Sequence, residues 1–470
     1  MNQPRVVVIG AGISGLSAAV TLQAEARRMG GPLSLTVLER HPIAGGHART
    51  VNAGGFLVEA GPNGFLNREP ESLALIDSLN LNSRVITANP AAARRFIVRD
   101  GRLCEVPDSP VTLAKTRALS WRGKARLLAE PWAPGPPSKE ETIHEFAERR
   151  IGAEAADMLV DTAVSGISAG DSRRLSVSAQ FPMMVEMERD HGSLFRAMFA
   201  RRRTGRGPAR LLGFDAGMSV LVDAMAAELG GSLMTGVVVT AIERGTGSWS
   251  VRLDDGRRIE ADRVVLATPA RVTAPLLRDL DGGLAQLLGD FVYSGVAAVG
   301  LGYRSADMPR PLDGYGYLVT RREELTTLGV VWESSLFAGR APQGHVLLRA
   351  ILGGARVPGM AERSEAECLD VARAELARVM GIRAEPVHVS VHRWPHAIAQ
   401  YTVGHEARIA GLRQRAAIHP GLHVCGTSYD GVSFNHAVKS GRALARTLAA
   451  ELWAAEGGRA AATTAEQVAV

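Results

Sequence analysis

The chain has 470 residues, of which 46% are hydrophobic, and a formal net charge of +6 from 54 Lys+Arg against 48 Asp+Glu. This composition is that of a globular protein, and the length corresponds to roughly three domains of ~150 residues. The small charge excess excludes a dedicated nucleic-acid coat, so no nucleic-acid partner is expected. The three cysteines, Cys104, Cys368 and Cys425, are far apart and form no CxxC pair. A disulfide framework and a metal site are therefore not predicted, and a reducing compartment is expected.

The first apolar stretch, residues 6–24, is uncharged and long enough to cross a bilayer. It contains three glycines as well as serine and threonine, which favour a strand, a turn and a helix over a membrane span. We therefore predict neither a signal peptide nor a transmembrane helix, and a peripheral membrane contact stays open.

The same stretch has the pattern of a dinucleotide-binding unit. A β-branched run at residues 6–9 precedes Gly10, Gly12 and Gly15, and residues 16–28 have the composition of a helix. Gly10 permits the tight turn, Gly12 lets the backbone approach a pyrophosphate, and Gly15 lets the helix pack against the strand. Free N–H groups at the start of the helix would meet the phosphates.

An acid and a second pair of glycines extend this pattern. The predicted second strand, residues 33–38, ends at Glu39, 24 residues after the third glycine. An acid at this distance accepts a hydrogen bond from a ribose hydroxyl and disfavours NADP. Gly45 and Gly46 allow another close approach of the backbone, and Arg49 can neutralise a phosphate. The longer pattern resembles the ADP-binding motif of FAD-dependent amine oxidases, so FAD is the predicted dinucleotide.

We find no second fingerprint of this kind in the sequence. Residues 205–207 form a GxG, but they lie in a basic stretch without a predicted strand before it. A flavoprotein that takes electrons from a nicotinamide usually needs such a second site. The pattern therefore favours an oxidase that passes electrons to oxygen or a quinone.

The remaining elements follow from periodicity and turn residues. A hairpin is predicted at residues 95–98 and 102–106, a helical region at 109–199, and a basic loop with Arg201, Arg202, Arg203 and Arg206 at 200–207. A turn and a helix are predicted at 211–230, and further helices at 370–380 and 435–453. Further strands are predicted at residues 237–242, 248–253, 263–267, 296–301, 315–319, 330–333, 346–351, 384–393 and 422–426.

Several short segments carry a more specific resemblance. They are Gly61-Pro62-Asn63-Gly64-Phe65-Leu66, Gly166-Ile167-Ser168-Ala169-Gly170-Asp171, Phe181-Pro182 with the polar residues that follow, Leu352-Gly353-Gly354, Gln400-Tyr401-Thr402-Val403-Gly404-His405 and Gly426-Thr427-Ser428-Tyr429-Asp430-Gly431-Val432. In this order they resemble motifs of the protoporphyrinogen oxidases, a family within the amine-oxidase type of FAD-dependent flavoproteins. The resemblance extends over residues 5–450.

The resemblance implies an α/β fold with three interleaved parts. A Rossmann-like FAD-binding domain would comprise residues 1–90, 211–275 and 418–455. A substrate-binding domain with an antiparallel sheet would comprise residues 91–106 and 276–417. Residues 107–210 would form a helical, membrane-binding domain, and residues 456–470 are predicted to be a disordered tail.

The resemblance also implies the reaction and its partners. Protoporphyrinogen IX would be oxidised to protoporphyrin IX in haem biosynthesis, with O₂ reduced to peroxide. The enzyme is expected to be cytoplasmic and peripherally bound to the inner face of the cytoplasmic membrane. A homodimer and hand-over of product to a ferrochelatase are left open.

Candidate site residues fall into two sets. The predicted cofactor-binding residues are Gly10, Gly12, Ile13, Ser14, Gly15, Glu39, Arg40, Gly45, Gly46, Arg49, Gly61, Pro62, Asn63, Gly64, Val239, Thr268, Gly426, Gly431, Val432 and Ser433. By resemblance, the substrate-binding residues are Arg95, Gly166, Gly316, Leu318 and Ile351. An arginine beside an aromatic residue, as in Arg94-Arg95-Phe96, suits a propionate carboxylate. No acid–base residue is assigned, because the flavin supplies the chemistry.

Three alternatives stay open from the sequence. A coproporphyrinogen III oxidase would differ in the edges of the macrocycle that the pocket meets. A flavin amine oxidase would be expected to keep a lysine beside the flavin, but the four lysines lie in the helical region or the last helix. A non-catalytic porphyrin or flavin binder would explain the departures from the family motifs at Asp430, Asn435, His436 and Ala437. Ser168 also departs, and together these residues put substrate preference in doubt.

Overall fold

The computed structural model describes residues 3–203 and 209–467. Its strands are β1 (Arg5–Ile9), β2 (Ser34–Glu39), β3 (Thr50–Ala53), β4 (Phe56–Glu59), β5 (Phe65–Leu66), β6 (Val85–Thr87), β7 (Arg95–Arg99), β8 (Arg102–Glu105), β9 (Leu211–Phe214), β10 (Leu233–Thr235), β11 (Val239–Arg244), β12 (Trp249–Leu253), β13 (Arg258–Ala261), β14 (Arg263–Leu266), β15 (Tyr293–Arg304), β16 (Gly316–Val319), β17 (Thr327–Val331), β18 (His345–Gly353), β19 (His388–Ala399) and β20 (Leu422–Val424).

The helices are α1 (Ile13–Met29), α2 (Pro70–Ser78), α3 (Pro110–Lys115), α4 (Trp121–Leu128), α5 (Ile143–Ile151), α6 (Ala153–Ala155), α7 (Thr162–Ser168), α8 (Val177–Gln180), α9 (Pro182–His191), α10 (Leu194–Arg203), α11 (Ser219–Leu229), α12 (Ala270–Leu276), α13 (Gly282–Gly289), α14 (Glu333–Leu336), α15 (Glu365–Met380), α16 (His405–Ala416) and α17 (Phe434–Gln467). A π-helical turn at Ala156–Asp161 joins α6 to α7.

A five-stranded parallel sheet carries the glycine-rich turn. Its strand order is β10-β2-β1-β14-β20, so it takes strands from the beginning, the middle and the end of the chain. Helices α1 and α17 pack closely, because a side chain at Gly441 would collide with Ser14 O. A parallel sheet covered by helices is the arrangement that a dinucleotide-binding unit requires. The three-part division of the chain into domains stays a prediction.

A seven-stranded sheet forms the second layer, in the order β19-β15-β18-β17-β16-β7-β8. All its pairs are antiparallel except β16 with β7. Residues alternate between its two faces. Tyr317 and Val319 of β16 are buried in the core that includes Leu376 of α15, whereas Leu318 packs with Met158 on the opposite side. One face of the sheet therefore builds a core, and the other is turned toward the helical segment.

Helices α3 to α10, called the helical segment below, lie between residues 110 and 203. They have their own small cores, one of which joins Phe146 and Val164. In the part of the chain that the structure describes, no helix has the length and apolarity needed to cross a membrane.

The structure corrects four sequence predictions. Helix α10 continues to Arg203, where we predict a loop, because arginine is a good helix former. Residues 204–207 of that predicted loop, with Arg206 and the GxG, lie outside the described residues. The predicted turn at residue 211 is β9, which pairs with β5 and β6. Strand β13 was not predicted, although arginine and glutamate alternate along it with apolar residues, because four residues are too short a run to stand out. Helix α17 extends to Gln467 into the predicted disordered tail, whose alanines favour helix.

A buried ion pair between Glu130 and Arg150 holds the helical segment together. The Glu130 carboxylate also accepts the N–H of Leu194 at 2.9 Å and the hydroxyl of Ser193. Burial raises the pKa of Glu130, but the hydrogen bonds from Ser193 and Arg150 outweigh it and lower that pKa below its usual range. The carboxylate therefore stays charged in the folded protein.

Replacing Glu130 with glutamine is expected to destabilise the protein by about 2 kcal/mol, because the buried guanidinium of Arg150 loses one carboxylate partner and keeps Glu188 at 3.1 Å. The folded-state pKa is lower than the unfolded one, so the contribution is complete above the unfolded pKa and is lost as the pH falls. Urea unfolding at pH 7 and at pH 4 measures both effects. The control Glu228→Gln removes an exposed pair with Arg27 and should cost less than about 1 kcal/mol; an equal loss in both variants would contradict the prediction.

Candidate active site

The turn between β1 and α1 has the shape that its glycines require. Gly10 has a φ of +100° and donates its N–H to Leu38 O at 2.7 Å, a conformation that other residues rarely adopt. A side chain at Gly15 would collide with Gly10 O, so the helix begins directly against the strand. At Gly12, no atom of the described residues lies within 4 Å of the position of a Cβ. The space in front of the first turn of α1 is therefore open to a ligand.

Glu39 closes this cradle from the end of β2. Its Oε2 accepts the N–H of Ala11 at 2.9 Å, and its Oε1 accepts that of His41 at 2.9 Å. Each oxygen keeps a further lone pair, so the fixed carboxylate can still accept a ribose hydroxyl. Gly45 donates to Ala11 O at 2.7 Å, which brings the second pair of glycines beside the first turn. Predicted cofactor residues from β1, β2 and the following loop thus meet at one edge of the sheet.

Further predicted cofactor residues lie around the cradle. The side chain of Thr268 packs against the first glycine of the turn. Val239 is the first residue of β11. Two residues earlier in the chain, the N–H of Val237 donates to Glu39 O, at the end of β2, at 2.9 Å. Arg40 and Arg49 are exposed, and neither forms an ion pair with a carboxylate of residues 3–203 or 209–467. Both guanidinium groups are therefore available to an anion such as a phosphate.

The loop that follows β4 is held from two sides. A side chain at Gly61 would collide with His47 O, and Arg349 donates to Gly61 O. The amide nitrogen Nδ2 of Asn63, in the same loop, is buried and has no hydrogen-bond partner among the described residues. Buried donors are normally paired, by protein, water or ligand. The glycine cradle, the fixed carboxylate and this unpaired donor fit the phosphates, ribose and ring of FAD.

Asp430 fixes the turn between β20 and α17. Gly426 donates its N–H to Ser440 Oγ at 2.9 Å, and the Ser440 hydroxyl donates to Asp430 Oδ2 at 2.5 Å. The other carboxylate oxygen of Asp430 pairs with Arg413 at 3.2 Å. The departure from the family motif at residue 430 therefore has a structural role in this chain.

The amide of Gly431, in the same turn, already has a partner within the protein. Its N–H donates to Tyr401 Oη at 2.7 Å, and the Tyr401 hydroxyl donates to Thr427 O at 2.8 Å. The amide is therefore taken by the protein, because a residue from the end of the seven-stranded sheet reaches this turn. The amides of Val432 and Ser433 have no acceptor among the described residues and stay candidates for cofactor binding.

The predicted substrate residues lie on one face of the seven-stranded sheet. Arg95 of β7 is opposite Gly316 of β16. Two residues further along β16, Leu318 is opposite Gly329, which is itself opposite Ile351 of β18. Directly paired residues share a face, as do residues two apart on one strand. The sheet therefore brings these residues into two adjacent rows, with a cation at one end and apolar side chains beyond it.

Helix α7 covers this face. A Cβ at Gly166 would lie 2.5 Å from Leu318 Cδ2, so the helix backbone rests on β16. Asp161, which precedes α7, is buried and pairs with Arg321 and Arg356 at 3.2 Å each. Burial raises the pKa of Asp161, but the bonds from its partners outweigh it and lower the pKa below its usual range. The charged carboxylate therefore ties the helical segment to the sheet.

Two further departures from the family motifs also have local explanations. Ser168 donates its hydroxyl to Val164 O at 2.9 Å, within its own helix. Asn435 accepts the hydroxyl of Ser72 and donates to Leu66 O, both at 2.8 Å. Asn435 therefore ties the start of α17 to β5 and α2.

The adjacent residues Arg94 and Arg95 have different environments. Arg94 pairs with Glu105 at 3.0 Å and with Asp313. Arg95 forms no ion pair with a carboxylate in the described ranges, and its guanidinium lies 5.5 Å from the centroid of the Tyr315 ring. Of the two arginines, Arg95 is therefore the one whose charge is free for the carboxylate of a ligand.

Sequence reasoning missed three residues of this region. Arg349 reaches the loop after β4 from β18, Tyr315 supports Arg95, and Tyr401 holds the turn before α17. Tyr401 lies in a segment that the motifs had singled out, and Tyr315 directly precedes the predicted substrate residue Gly316, so both had a signal in the sequence.

Comparisons with known proteins place the chain in a family. The model of the flavin containing amine oxidoreductases matches residues 13–449. A coproporphyrinogen III oxidase of Bacillus subtilis is 30% identical over 94% of this chain and 97% of its own length. A protoporphyrinogen oxidase of Bos taurus is 32% identical over 95% of this chain and 98% of its own length.

A solved structure shows the same fold. It comes from Exiguobacterium sp. 255-15, carries a provisional assignment as a protoporphyrinogen oxidase, and superposes with a TM-score of 0.84 over 96% of this chain and 100% of that chain, at 26% identity. The family match also accounts for the dinucleotide cradle and identifies the cofactor as FAD. The chain therefore belongs to the flavin containing amine oxidoreductases, within the protoporphyrinogen oxidase family, and is an FAD-dependent oxidoreductase.

Proposed function

We propose that the chain oxidises protoporphyrinogen IX to protoporphyrin IX with O₂ as the electron acceptor. The observation that carries the proposal is the sheet face, where the free guanidinium of Arg95 lies at the end of an apolar surface that includes Leu318 and Ile351. A flat apolar macrocycle with carboxylates on one edge is the ligand that suits such a face. The protoporphyrinogen oxidases among the relatives support this choice.

The proposed reaction is three two-electron oxidations. Each round removes one hydride from a meso carbon and one proton, and one O₂ takes up both to give one H₂O₂. Of the three protons, two leave pyrrole nitrogens and the third leaves the fourth meso carbon as the macrocycle becomes aromatic. Three rounds remove six hydrogens and yield the aromatic porphyrin with three H₂O₂. Bound FAD supplies the hydride acceptor and then the electrons for O₂.

The residues of this chain bind and orient the substrate in this proposal. Arg95 forms a charge-assisted pair with a propionate, which fixes the edge of the macrocycle. Leu318 and Ile351 contact its apolar plane, and α7, whose backbone rests on Leu318 at Gly166, shields the same face from water. No side chain is asked to exchange a proton at the reacting carbon, which agrees with an apolar face.

The purified protein with each porphyrinogen tests the proposal directly. Porphyrin fluorescence should rise, and peroxide should form in a ratio of three per porphyrin. Porphyrin fluorescence without peroxide would show that the electron acceptor is not O₂. Inertness toward both protoporphyrinogen IX and coproporphyrinogen III would overturn the function.

Coproporphyrinogen III is the second candidate substrate, because the Bacillus subtilis relative covers almost the whole chain. This substrate carries carboxylates on all four pyrrole rings. In the two rows of the sheet face, Arg349 is paired with Glu333 at 2.8 Å, which leaves Arg95 as the free guanidinium there. A single free cation on this face favours protoporphyrinogen IX, which carries vinyl groups in place of two of the carboxylate chains. A higher kcat/KM for coproporphyrinogen III than for protoporphyrinogen IX would reverse this order.

A peripheral contact with an anionic membrane is also proposed. Trp121 and Trp132 of the helical segment are 73% and 80% exposed, and Arg122 lies over the Trp121 ring. Exposed tryptophans beside cations suit the headgroup region of a bilayer.

Replacing both tryptophans with serine is expected to weaken binding to vesicles of phosphatidylglycerol and phosphatidylcholine by about tenfold or more, since each ring buries several CH₂ equivalents. Sedimentation with vesicles measures this loss. The control Val387→Ser changes an exposed residue outside the helical segment and should bind normally. Equal binding of the tryptophan variant and the wild type would contradict the proposal.

A further inference from the structure

Tyr315 stands between the free arginine and the loop after β4. It precedes Gly316, and its backbone is fixed on both sides: its N–H donates to Arg94 O at 2.8 Å, and its O accepts the N–H of Trp332 at 2.9 Å. The ring therefore projects from a rigid position. The sequence placed Tyr315 in the segment of Gly316 and Leu318 but gave it no role of its own.

The ring of Tyr315 supports the guanidinium of Arg95, which lies 5.5 Å from its centroid. A cation over an aromatic face is attracted by the ring quadrupole, and the stacked geometry limits the rotamers of the arginine. Because Arg95 has no carboxylate partner among residues 3–203 and 209–467, this ring is its main orienting contact. Arg94 is held differently, by Glu105 and Asp313.

The hydroxyl of Tyr315 lies beside the side chain of Asn63. Burial raises the pKa of Tyr315, and the neighbouring Asn63 offsets only part of this rise, so the hydroxyl keeps its proton. The Nδ2 of Asn63 is the buried donor without a partner, in the loop that Arg349 holds through Gly61 O. One end of Tyr315 thus meets the loop assigned to the cofactor, and its ring meets the group assigned to the substrate.

We propose that Tyr315 is a positioning residue that sets Arg95 for the substrate carboxylate through its ring and sets Asn63 for the cofactor through its hydroxyl. This inference rests on the proposed function for the identity of the substrate. It goes beyond that function because it couples the carboxylate anchor to the flavin-side loop through one side chain. The two roles belong to different atoms, so two substitutions separate them.

Tyr315→Phe keeps the aromatic face and removes the hydroxyl. KM for protoporphyrinogen IX and the Kd of protoporphyrin IX should change by less than about twofold, since the cation–π contact persists. The value of kcat should fall about two- to tenfold, as expected when a polar neighbour of the cofactor loop is removed. The absorption spectrum of the bound flavin should shift, because Asn63 loses its neighbour.

Tyr315→Leu removes the ring as well. KM and the product Kd should then rise about three- to thirtyfold, because Arg95 loses the contact that orients it. The product Kd is measured by porphyrin fluorescence titration of the FAD-loaded protein, so it does not depend on turnover. Tyr317→Phe is the matched control: Tyr317 lies on the opposite face in the core of the sheet, and its variant should leave KM, product Kd and flavin spectrum unchanged.

The inference is overturned if Tyr315→Phe and Tyr315→Leu change KM and product Kd equally, or if neither moves the flavin spectrum. It is also overturned if Tyr317→Phe reproduces the shifts. A wild-type protein that oxidises no porphyrinogen would instead overturn the proposed function. In that case the product titration and the flavin spectrum still decide the role of Tyr315.

Discussion

Replacing Arg95 with alanine should lower kcat/KM for protoporphyrinogen IX by about ten- to a hundredfold, mostly through a higher KM. A hydrogen bond to a charged group contributes about 1.5–3 kcal/mol, and a buried carboxylate left without its partner adds a desolvation cost. The loss falls on binding because Arg95 contacts the propionate edge and not the reacting carbon. Steady-state kinetics with the FAD-loaded protein measures it.

The neighbouring residue provides a matched control. Arg94→Ala removes the same charge one residue away, but Arg94 is occupied by Glu105 and Asp313. Its variant should keep KM within about twofold, because a pair on the exposed surface contributes little. A larger rise in KM for Arg94→Ala than for Arg95→Ala would reverse the assignment of the substrate anchor. Arg95→Lys should recover part of the loss, since the charge remains without the bidentate fork.

Gly12→Ala should give a folded protein that has lost FAD. The backbone of Gly12 has φ −73° and ψ 178°, which alanine adopts without strain, and no atom of the described residues lies within 4 Å of the new methyl group. Bound cofactor would occupy that space, so the methyl group should weaken FAD binding by about ten- to a hundredfold. Absorbance at 450 nm and FAD titration of the apoprotein report the loss, and circular dichroism reports the fold.

Substitutions at two other glycines provide comparisons for Gly12→Ala. Gly411→Ala, in α16, also meets no neighbouring atom and should keep FAD while it stabilises the protein by about 0.5–1 kcal/mol. Gly15→Ala forces a methyl group onto Gly10 O and should disturb the turn itself, with loss of both fold and cofactor. Normal FAD content in the purified Gly12→Ala protein would show that the cofactor does not approach this turn.

Local patterns were enough to predict the cofactor half of the fold. Residues 5–39 carry the strand, turn, helix and acid in one continuous stretch, and β1, α1 and β2 follow it closely. The hairpin of β7 and β8 was likewise visible from Asp100-Gly101. Strand β9 was not visible, because its four residues are stabilised by pairing with distant β5 and β6.

The substrate half depends on contacts that a single sequence does not display. The residue pattern located the arginine pair at 94–95, but only the family resemblance singled out Arg95, since Asp313 and Tyr315 lie over 200 residues away in the chain. The contact of Tyr401 is a second example that the sequence does not display: its hydroxyl oxygen accepts the N–H of Gly431. Hydrogen-bond relays of this kind join side chains whose identities alone predict nothing about their distance.

The strand order of the parallel sheet has a consequence for the synthesis of the protein. The glycine turn is among the first parts of the chain to be made, but its neighbours β14 and β20 and the turn before α17 are made much later. A chain that is still growing on the ribosome therefore has an incomplete cofactor cradle until residue 433 has emerged. Arg95 likewise lacks its strand partner Gly316 until that later part of the chain has been made. We therefore expect cofactor uptake to be a late event in folding, after strands from both ends of the chain have come together.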